Sequence, residues 1–144
     1  MPRAEDQVAP VATRLAALAE AAPEREVCGL VVGDPAGLAE VWPLPNAAPD
    51  PRRAFALGPQ DLLEALRRLE REGRTLLAVY HSHPSGGADL SALDLANALS
   101  DGTPLLEGVA QVVVALQGGK ASTVRAHRWM DGRYRGRDLW TSVR

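Results

Sequence analysis

The sequence has a single cysteine among its 144 residues, so no disulfide can form within the chain. A lone cysteine is typical of proteins from a reducing compartment. The chain also lacks any apolar run approaching the roughly 20 residues of a membrane-spanning helix. Its N-terminus lacks the basic start and apolar core of a secretory signal. We therefore expect a cytoplasmic protein with no membrane association.

Net charge is also small, since 16 basic and 18 acidic residues leave −2 at neutral pH. Such a balance predicts no general attraction to nucleic acid or to a membrane surface. The C-terminal part is the exception, because it combines arginines with Trp129, Tyr134 and Trp140, which could stack on nucleobases. Charged edge strands that resist aggregation explain these arginines better, and a protein partner docking against an exposed edge is the other interpretation.

The length and composition are those of one globular domain. Hydrophobic residues make up 46% of the chain and charged residues 24%, which is ordinary for a packed domain. We expect a single domain over residues 1–144, with a core that carries the sequence motifs at about 10–130 and a C-terminal edge segment at 131–144.

Hydrophobic periodicity predicts alternating helices and strands, preceded by a frayed start at residues 1–6. Helices are predicted at residues 8–22, 60–72 and 91–102, and strands at 26–33, 38–44, 53–57, 75–80, 108–116, 122–129 and within 131–144. Gly118-Gly119 predicts a hairpin turn between two of those strands. This order indicates a mixed β-sheet with helices packed against it, an α/β or α+β domain.

Polar side chains cluster where the predicted strand 75–80 ends. His81 and His83 are two residues apart, so on a strand their imidazoles project to one face about 6.5 to 7 Å apart. Asp94 follows Ser91 by three residues and shares its face of a predicted helix. Two nitrogens and one carboxylate oxygen with an open fourth position are typical of catalytic zinc, which lowers the pKa of a bound water to about 7.

Each part of this pattern also has an ordinary structural explanation. A His-x-His pair is often exposed or satisfied within a core, and Ser91 with Asp94 forms a capping-box variant. Hydrolysis would also need a general base from elsewhere in the chain. Glu26, at the entrance of its predicted strand, is either a solvated carboxylate or that general base. Cys28 is either a small buried hydrophobic residue or an additional metal ligand.

The segment His81-Ser82-His83-Pro84, with seven residues between His83 and Ser91 and two between Ser91 and Asp94, resembles the signature of the JAMM (JAB/MPN) metalloprotease family. The resemblance covers roughly residues 10–116. Upstream, residues 26–33 are similar to the glutamate-bearing strand of that family. Residues 46–57 resemble the Asn…Pro…Phe segment of its small stand-alone bacterial (Mec-type) members. The family fold is similar to that of cytidine deaminases.

The resemblance implies one zinc ion per chain, held by His81, His83 and Asp94. It implies that Glu26 is the general acid/base and that Ser91 hydrogen-bonds the reacting water and stabilises the oxyanion. The expected function is hydrolysis of a peptide or isopeptide bond after the C-terminal Gly-Gly of a ubiquitin-like or sulfur-carrier protein, similar to a deubiquitinase. Asp89, in the loop between the ligands, is a further residue that could contact the metal in a resting state.

Two rival interpretations are a RadC-like protein associated with DNA repair and a non-catalytic MPN scaffold. The scaffold would be expected to have lost ligands that are all present here. Deaminase activity is excluded because the His-x-Glu and Pro-Cys-x-x-Cys zinc signature is absent from a chain with one cysteine. The sequence leaves a homodimer open.

Overall fold

A computed structural model describes residues 3–142 and shows one six-stranded sheet with helices on both faces. The helices are α1 (Ala4–Val8), α2 (Ala12–Glu20), α3 (Pro59–Glu72) and α4 (Ala92–Ala98), with a 3₁₀ turn at Ala9–Val11. The strands are β1 (Cys28–Gly33), β2 (Ala39–Leu44), β3 (Thr75–His83), β4 (Leu99–Ser100), β5 (Thr103–Pro104), β6 (Ala110–Gln117), β7 (Lys120–Met130) and β8 (Arg133–Thr141).

The sheet has the order β2-β1-β3-β6-β7-β8. Only β3 and β6 run parallel, while every other neighbouring pair is antiparallel. A parallel pair needs a long crossover connection, and α4 with the short β4–β5 ribbon provides it. The predicted mixed sheet flanked by helices is confirmed.

The two central strands are buried along most of their length because both faces of the sheet are covered. On one face, Val8 and Leu15 of the N-terminal helices pack on alternate residues of the central strands. On the other face, Ala65 and Leu69 of α3 pack against Leu30 and Val79. This second face also carries the side chains of His81 and His83, since they follow Val79 at intervals of two.

The N-terminus differs from the prediction. Helix begins at Ala4 instead of residue 8, is interrupted by the 3₁₀ turn that contains Pro10, and ends at Glu20. Residues 3–6 were expected to fray, yet Glu5 is buried and Asp6 accepts a 2.7 Å hydrogen bond from Arg137 of β8. Contacts with a strand far along the chain therefore order this segment, and local sequence does not reveal them.

Other predicted elements also change their bounds, and the strand predicted at 26–33 begins at Cys28, so Glu26 precedes it. The predicted strand 53–57 forms only an isolated bridge between Asn46 and Leu57. Strand β3 continues to His83, so both histidines lie within the strand. The predicted helix 91–102 ends at Ala98, because the chain turns back through Asp101 and Gly102, both at positive φ. The hairpin turn at Gly118-Gly119 is confirmed.

None of the helices within the described residues 3–142 is long and apolar enough to cross a membrane.

Candidate metal centre

The end of β3 brings two imidazoles together on one face of the sheet. The Nε2 atoms of His81 and His83 lie 3.1 Å apart, and His81 is fully buried. Their partners across the parallel ladder are Val113 and Ala115, both buried, so the sheet supports the pair from below. The strand alternation expected from sequence therefore directs both rings to a common point.

Asp94 reaches that point from the first turn of α4. Its Oδ2 atom lies 3.1 Å from Nε2 of each histidine and also accepts a 2.9 Å hydrogen bond from the Ser91 N–H. The Ser91 hydroxyl in turn accepts the Asp94 N–H at 3.0 Å, which completes a capping box. The structural and the metal-ligating interpretations of Ser-x-x-Asp are therefore compatible.

The three ligand atoms form a triangle with sides of 3.1 Å. Tetrahedral zinc with nitrogen and oxygen ligands at about 2.0–2.1 Å would separate its ligand atoms by about 3.3–3.4 Å, so this donor set fits such an ion. The Nδ1 atom of His83 lies 2.8 Å from the Gly87 carbonyl oxygen. Donation of Nδ1–H to that carbonyl leaves the lone pair on Nε2, which faces the other ligands.

Glu26 completes the group just before β1. Its carboxylate oxygen and the ligand atoms of His81, His83 and Asp94 all lie within 4.8 Å of one another. The side chain is 6% exposed, and its Oε1 atom has no hydrogen-bond partner within residues 3–142. Burial raises the pKa of Glu26 to about 7; the His83 charge opposes this rise and the Asp94 charge adds to it. Such a carboxyl group can both accept and donate a proton near neutral pH.

Burial and hydrogen bonding also set the charges of the other members of the group. Burial lowers the pKa of His81, which favours the neutral ring that a metal requires. Burial alone would raise the pKa of Asp94, but hydrogen bonds with His81 and His83 hold it well below its usual range. His81 therefore presents a neutral imidazole and Asp94 an ionised carboxylate, the forms that bind divalent metals. Burial would also lower the pKa of His83, but hydrogen bonds with Asp94 and the Gly87 carbonyl raise it.

An open groove of about 500 Å³ runs past this cluster. Glu26 and His83 line it from the sheet, and Ser91 lines it from the start of α4. The Ser91 hydroxyl oxygen accepts the Asp94 N–H, so its own proton is free to donate into the groove. A carboxyl group, a hydroxyl group and one of the candidate metal ligands thus line one solvent-accessible space.

The family profile described as prokaryotic homologues of the JAB domain matches residues 8–131. The chain belongs to this family. JAB proteins are in general metal-dependent, and Glu26, His81, His83 and Asp94 form a group that could bind a metal.

Two curated relatives match parts of this JAB chain. One is a probable TtuB-protein conjugate cleaving protease of Thermus thermophilus, 53% identical over 58 residues, or 40% of this chain and 39% of the relative. The other is a desampylase of Haloferax volcanii, 35% identical over 74 residues, or 50% of this chain and 53% of the relative. The matches span about half the length of these relatives or less.

Solved structures show the same fold at low sequence identity. A protein of Desulfitobacterium hafniense aligns with a TM-score of 0.67 at 24% identity, covering 87% of this chain and 84% of that one. A protein of Salinibacter ruber aligns with a TM-score of 0.57 at 23% identity, covering 96% of this chain and 87% of that one. Both solved structures support the fold of this JAB chain.

The structure places two further candidates outside the metal-ligand group. Cys28 is buried, and its Sγ atom lies 3.7 Å from the Leu44 carbonyl oxygen. Burial is the main cause that raises the pKa of Cys28 to about 11, and the Glu26 charge adds to it. The Asp89 carboxylate pairs with the Arg125 guanidinium at 2.7 Å. Within the described part of the chain, neither residue belongs to the group that could hold a metal.

Sequence reasoning missed two residues that support the JAB site. The Phe55 ring stacks on the His81 imidazole, with centroids 4.2 Å apart and planes 16° apart. His127 on β7 is buried and lies 2.8 Å, through Nε2, from the carbonyl oxygen of Ala88 in the loop between the ligands. Phe55 lies in the segment that resembles the Asn…Pro…Phe stretch, whereas nothing near His127 in the sequence indicates its contact.

Proposed function

We propose that this JAB chain is a zinc-dependent protease that cleaves the bond after the C-terminal Gly-Gly of a ubiquitin-like or sulfur-carrier protein. The observation that carries the proposal is the buried Glu26 carboxylate, which lies within 4.8 Å of the ligand atoms of His81, His83 and Asp94. A scaffold has no need of a general acid/base poised in this way. The names of the two relatives, a conjugate cleaving protease and a desampylase, support the same class of reaction.

The shape of the groove supports a Gly-Gly substrate. Two glycines form an extended, unbranched stretch that can lie against a metal site without steric conflict. Gly86 and Gly87 are among the residues that line the groove, and neither carries a side chain that could obstruct it. The proposal covers both a peptide bond to a C-terminal extension and an isopeptide bond to a lysine.

His81, His83 and Asp94 would hold the zinc ion, which when bound supplies a Lewis acid for the scissile carbonyl and lowers the pKa of water to about 7. The Glu26 carboxylate, within 4.8 Å of the ligand atoms, would take a proton from the attacking water and return it to the leaving amine. The Ser91 hydroxyl donates a hydrogen bond to the developing oxyanion, a contribution of about 3 kcal/mol at comparable sites.

Three further expectations from the sequence belong to this proposal. They are a single domain spanning residues 1–144, a cytoplasmic location, and a site that is complete within one chain whether or not the protein forms a homodimer. Nucleic-acid binding is not part of the proposed function, because the net charge of the chain is −2.

Intact-mass analysis of carrier cleavage tests the proposal. The zinc-loaded protein is incubated with Gly-Gly carriers from the same genome, each bearing a C-terminal peptide extension or a lysine-linked peptide. Glu26→Gln and added EDTA serve as inactive controls. Glu24→Gln is the matched control, because Glu24 is an exposed glutamate two residues from Glu26.

We expect a mass loss that places the cut directly after Gly-Gly. It should occur with the wild type and Glu24→Gln, and be absent with Glu26→Gln and with EDTA. Failure of the zinc-loaded wild type to cleave any carrier would overturn the substrate assignment. Persistent cleavage by Glu26→Gln would show that another residue is the base.

A further inference from the structure

The position of the Glu26 carboxylate is set by its backbone. The segment 25–27 lies just outside β1, and the Glu26 Oε1 atom has no hydrogen-bond partner within residues 3–142. No hydrogen bond to this oxygen therefore holds the carboxylate in place, and the backbone of the segment matters correspondingly more. Whatever fixes the backbone of residues 25–27 therefore fixes the distance between Glu26 and the metal-ligand group.

Ser82 holds this segment from the side of β3. It is fully buried and lies between His81 and His83, so its side chain projects to the opposite face of the sheet. Its hydroxyl oxygen accepts the Val27 N–H at 2.8 Å, and the hydroxyl donates to the Arg25 carbonyl at 3.5 Å. Its own N–H donates to the Val27 carbonyl at 2.9 Å. Both neighbours of Glu26 are thus bound by one serine.

The loop after β2 holds the segment from the other side. The Asn46 side-chain amide donates to the Glu26 carbonyl at 2.9 Å and to the Ala54 carbonyl at 3.0 Å. The Glu26 N–H donates to the Pro51 carbonyl at 2.7 Å. Each backbone group of Glu26 is therefore paired with the loop, while Arg25 and Val27 are paired with Ser82.

We propose that Ser82 is a positioning residue for Glu26, acting through the backbone of residues 25–27. The inference rests on the proposed role of Glu26 as general acid/base. Three consecutive residues of β3 then serve both halves of the site. His81 and His83 present the proposed metal ligands on one face of the sheet. The hydroxyl of Ser82, on the other face, holds the backbone on both sides of Glu26. One strand therefore sets the spacing between the base and the ligands.

Amide hydrogen exchange in Ser82→Ala tests the anchor without reference to activity. We expect protection of the Val27 amide to fall on the order of 10-fold, since its hydrogen-bond acceptor is removed. Protection of the Val113 amide, in the buried centre of β6, reports global stability and should change less. The matched control is Ser122→Ala, which removes a half-buried hydroxyl that donates to the Ala115 carbonyl at 3.2 Å. In that control the Val27 amide should behave as in the wild type.

Kinetics then separate positioning from a purely structural role. We expect Ser82→Ala to lower kcat about 10- to 100-fold, because a displaced base lengthens the proton-transfer path. KM should stay within about 2-fold and one zinc per chain should be retained, because the groove and the three ligands are untouched. Ser82→Thr, which keeps the hydroxyl, should restore both kcat and Val27 protection.

The two measurements give distinguishable failures. Unchanged relative protection of Val27 in Ser82→Ala, or unchanged kcat, would overturn the positioning role. If the wild type binds zinc but cleaves no carrier, the proposed function is wrong. Exchange protection of the Val27 amide would still decide whether Ser82 anchors residues 25–27.

Discussion

The Phe55 ring covers the His81 imidazole as a parallel stack, with centroids 4.2 Å apart. Phe55 comes from the loop after β2 and His81 from β3, so the stack joins the loop that pairs with Glu26 to the metal-ligand strand. Such contacts behind a ligand fix its ring orientation.

Phe55→Leu should therefore weaken zinc binding about 10-fold, because leucine keeps most of the apolar volume but loses the flat stacking surface. Competition with a chromophoric chelator measures the zinc affinity. Leu57→Ala is the control, since Leu57 packs on the same hydrophobic cluster two residues away. That variant should lose stability and keep the wild-type affinity. Equal affinities for Phe55→Leu and wild type would contradict a role for the stack.

Glu26→Gln should make the protein more stable at pH 8 when EDTA is present. The pKa of Glu26 is about 7 in the folded protein and has an ordinary value of 4.5, so the unfolded chain ionises first. Stability of the wild type thus falls as pH rises from about 4.5 to 7 and levels off above that range. We expect a gain of about 3 kcal/mol at pH 8 that vanishes below pH 4.5.

Urea unfolding at several pH values, with EDTA throughout, measures this gain. Glu24→Gln is the matched control, because it removes an exposed glutamate two residues from Glu26. A Glu26→Gln variant that is less stable than the wild type at pH 8 would mean that the carboxylate has a stabilising partner.

Gly29→Ala should destabilise the protein by about 3 kcal/mol or prevent soluble expression. A Cβ at Gly29 would overlap the Trp42 carbonyl oxygen and lie 2.8 Å from both Cε1 and the hydroxyl oxygen of Tyr80. The backbone oxygen cannot move without disrupting the β1–β2 ladder. Gly87→Ala is the control, since a Cβ there has no neighbour within 4 Å. Thermal unfolding compares the two variants, and equal midpoints would contradict the predicted clash.

His127→Phe should lower the free energy of unfolding by about 1–3 kcal/mol, because the Ala88 carbonyl would be left buried without a donor. Burial lowers the pKa of His127, so the neutral ring donates through Nε2. The variant should also bind zinc more weakly, since the same loop supplies the Gly87 carbonyl to His83. His127→Gln, which keeps an amide donor, should be affected less. Urea unfolding measures the change in stability, and chelator competition measures the zinc affinity. If His127→Phe matched the wild type in both, the loop between the candidate ligands would not depend on His127.

Much of the site was predictable because its parts are close in sequence. His81 and His83 follow the period of a strand, and Ser91 with Asp94 forms a capping box that depends only on local geometry. The structure joins these two pairs, as the spacing predicted. Their roles, and that of Glu26, stay predictions until zinc binding and cleavage are measured.

The missed features depend on contacts between distant parts of the chain. The predicted strand 53–57 is instead an irregular loop, because Asn46 satisfies its backbone groups at Ala54 and Ala56. The N-terminus is ordered by a hydrogen bond from Arg137 to Asp6, 131 residues apart. Neither effect leaves a pattern in a window of ten residues.

The sequence by itself determined most of the longer helices and strands with their apolar faces, the turn at Gly118-Gly119, the spacing of the candidate ligands and the family resemblance. Each depends on local periodicity, backbone preference or the order of residue types. Tertiary structure decided the rest. The pairing of β1 with β3 aligns Cys28 with His81. This register places Glu26, two residues before Cys28, beside the group of candidate ligands, where it is buried. Its raised pKa follows from that burial, and burial is a property of the packed chain that no single segment possesses.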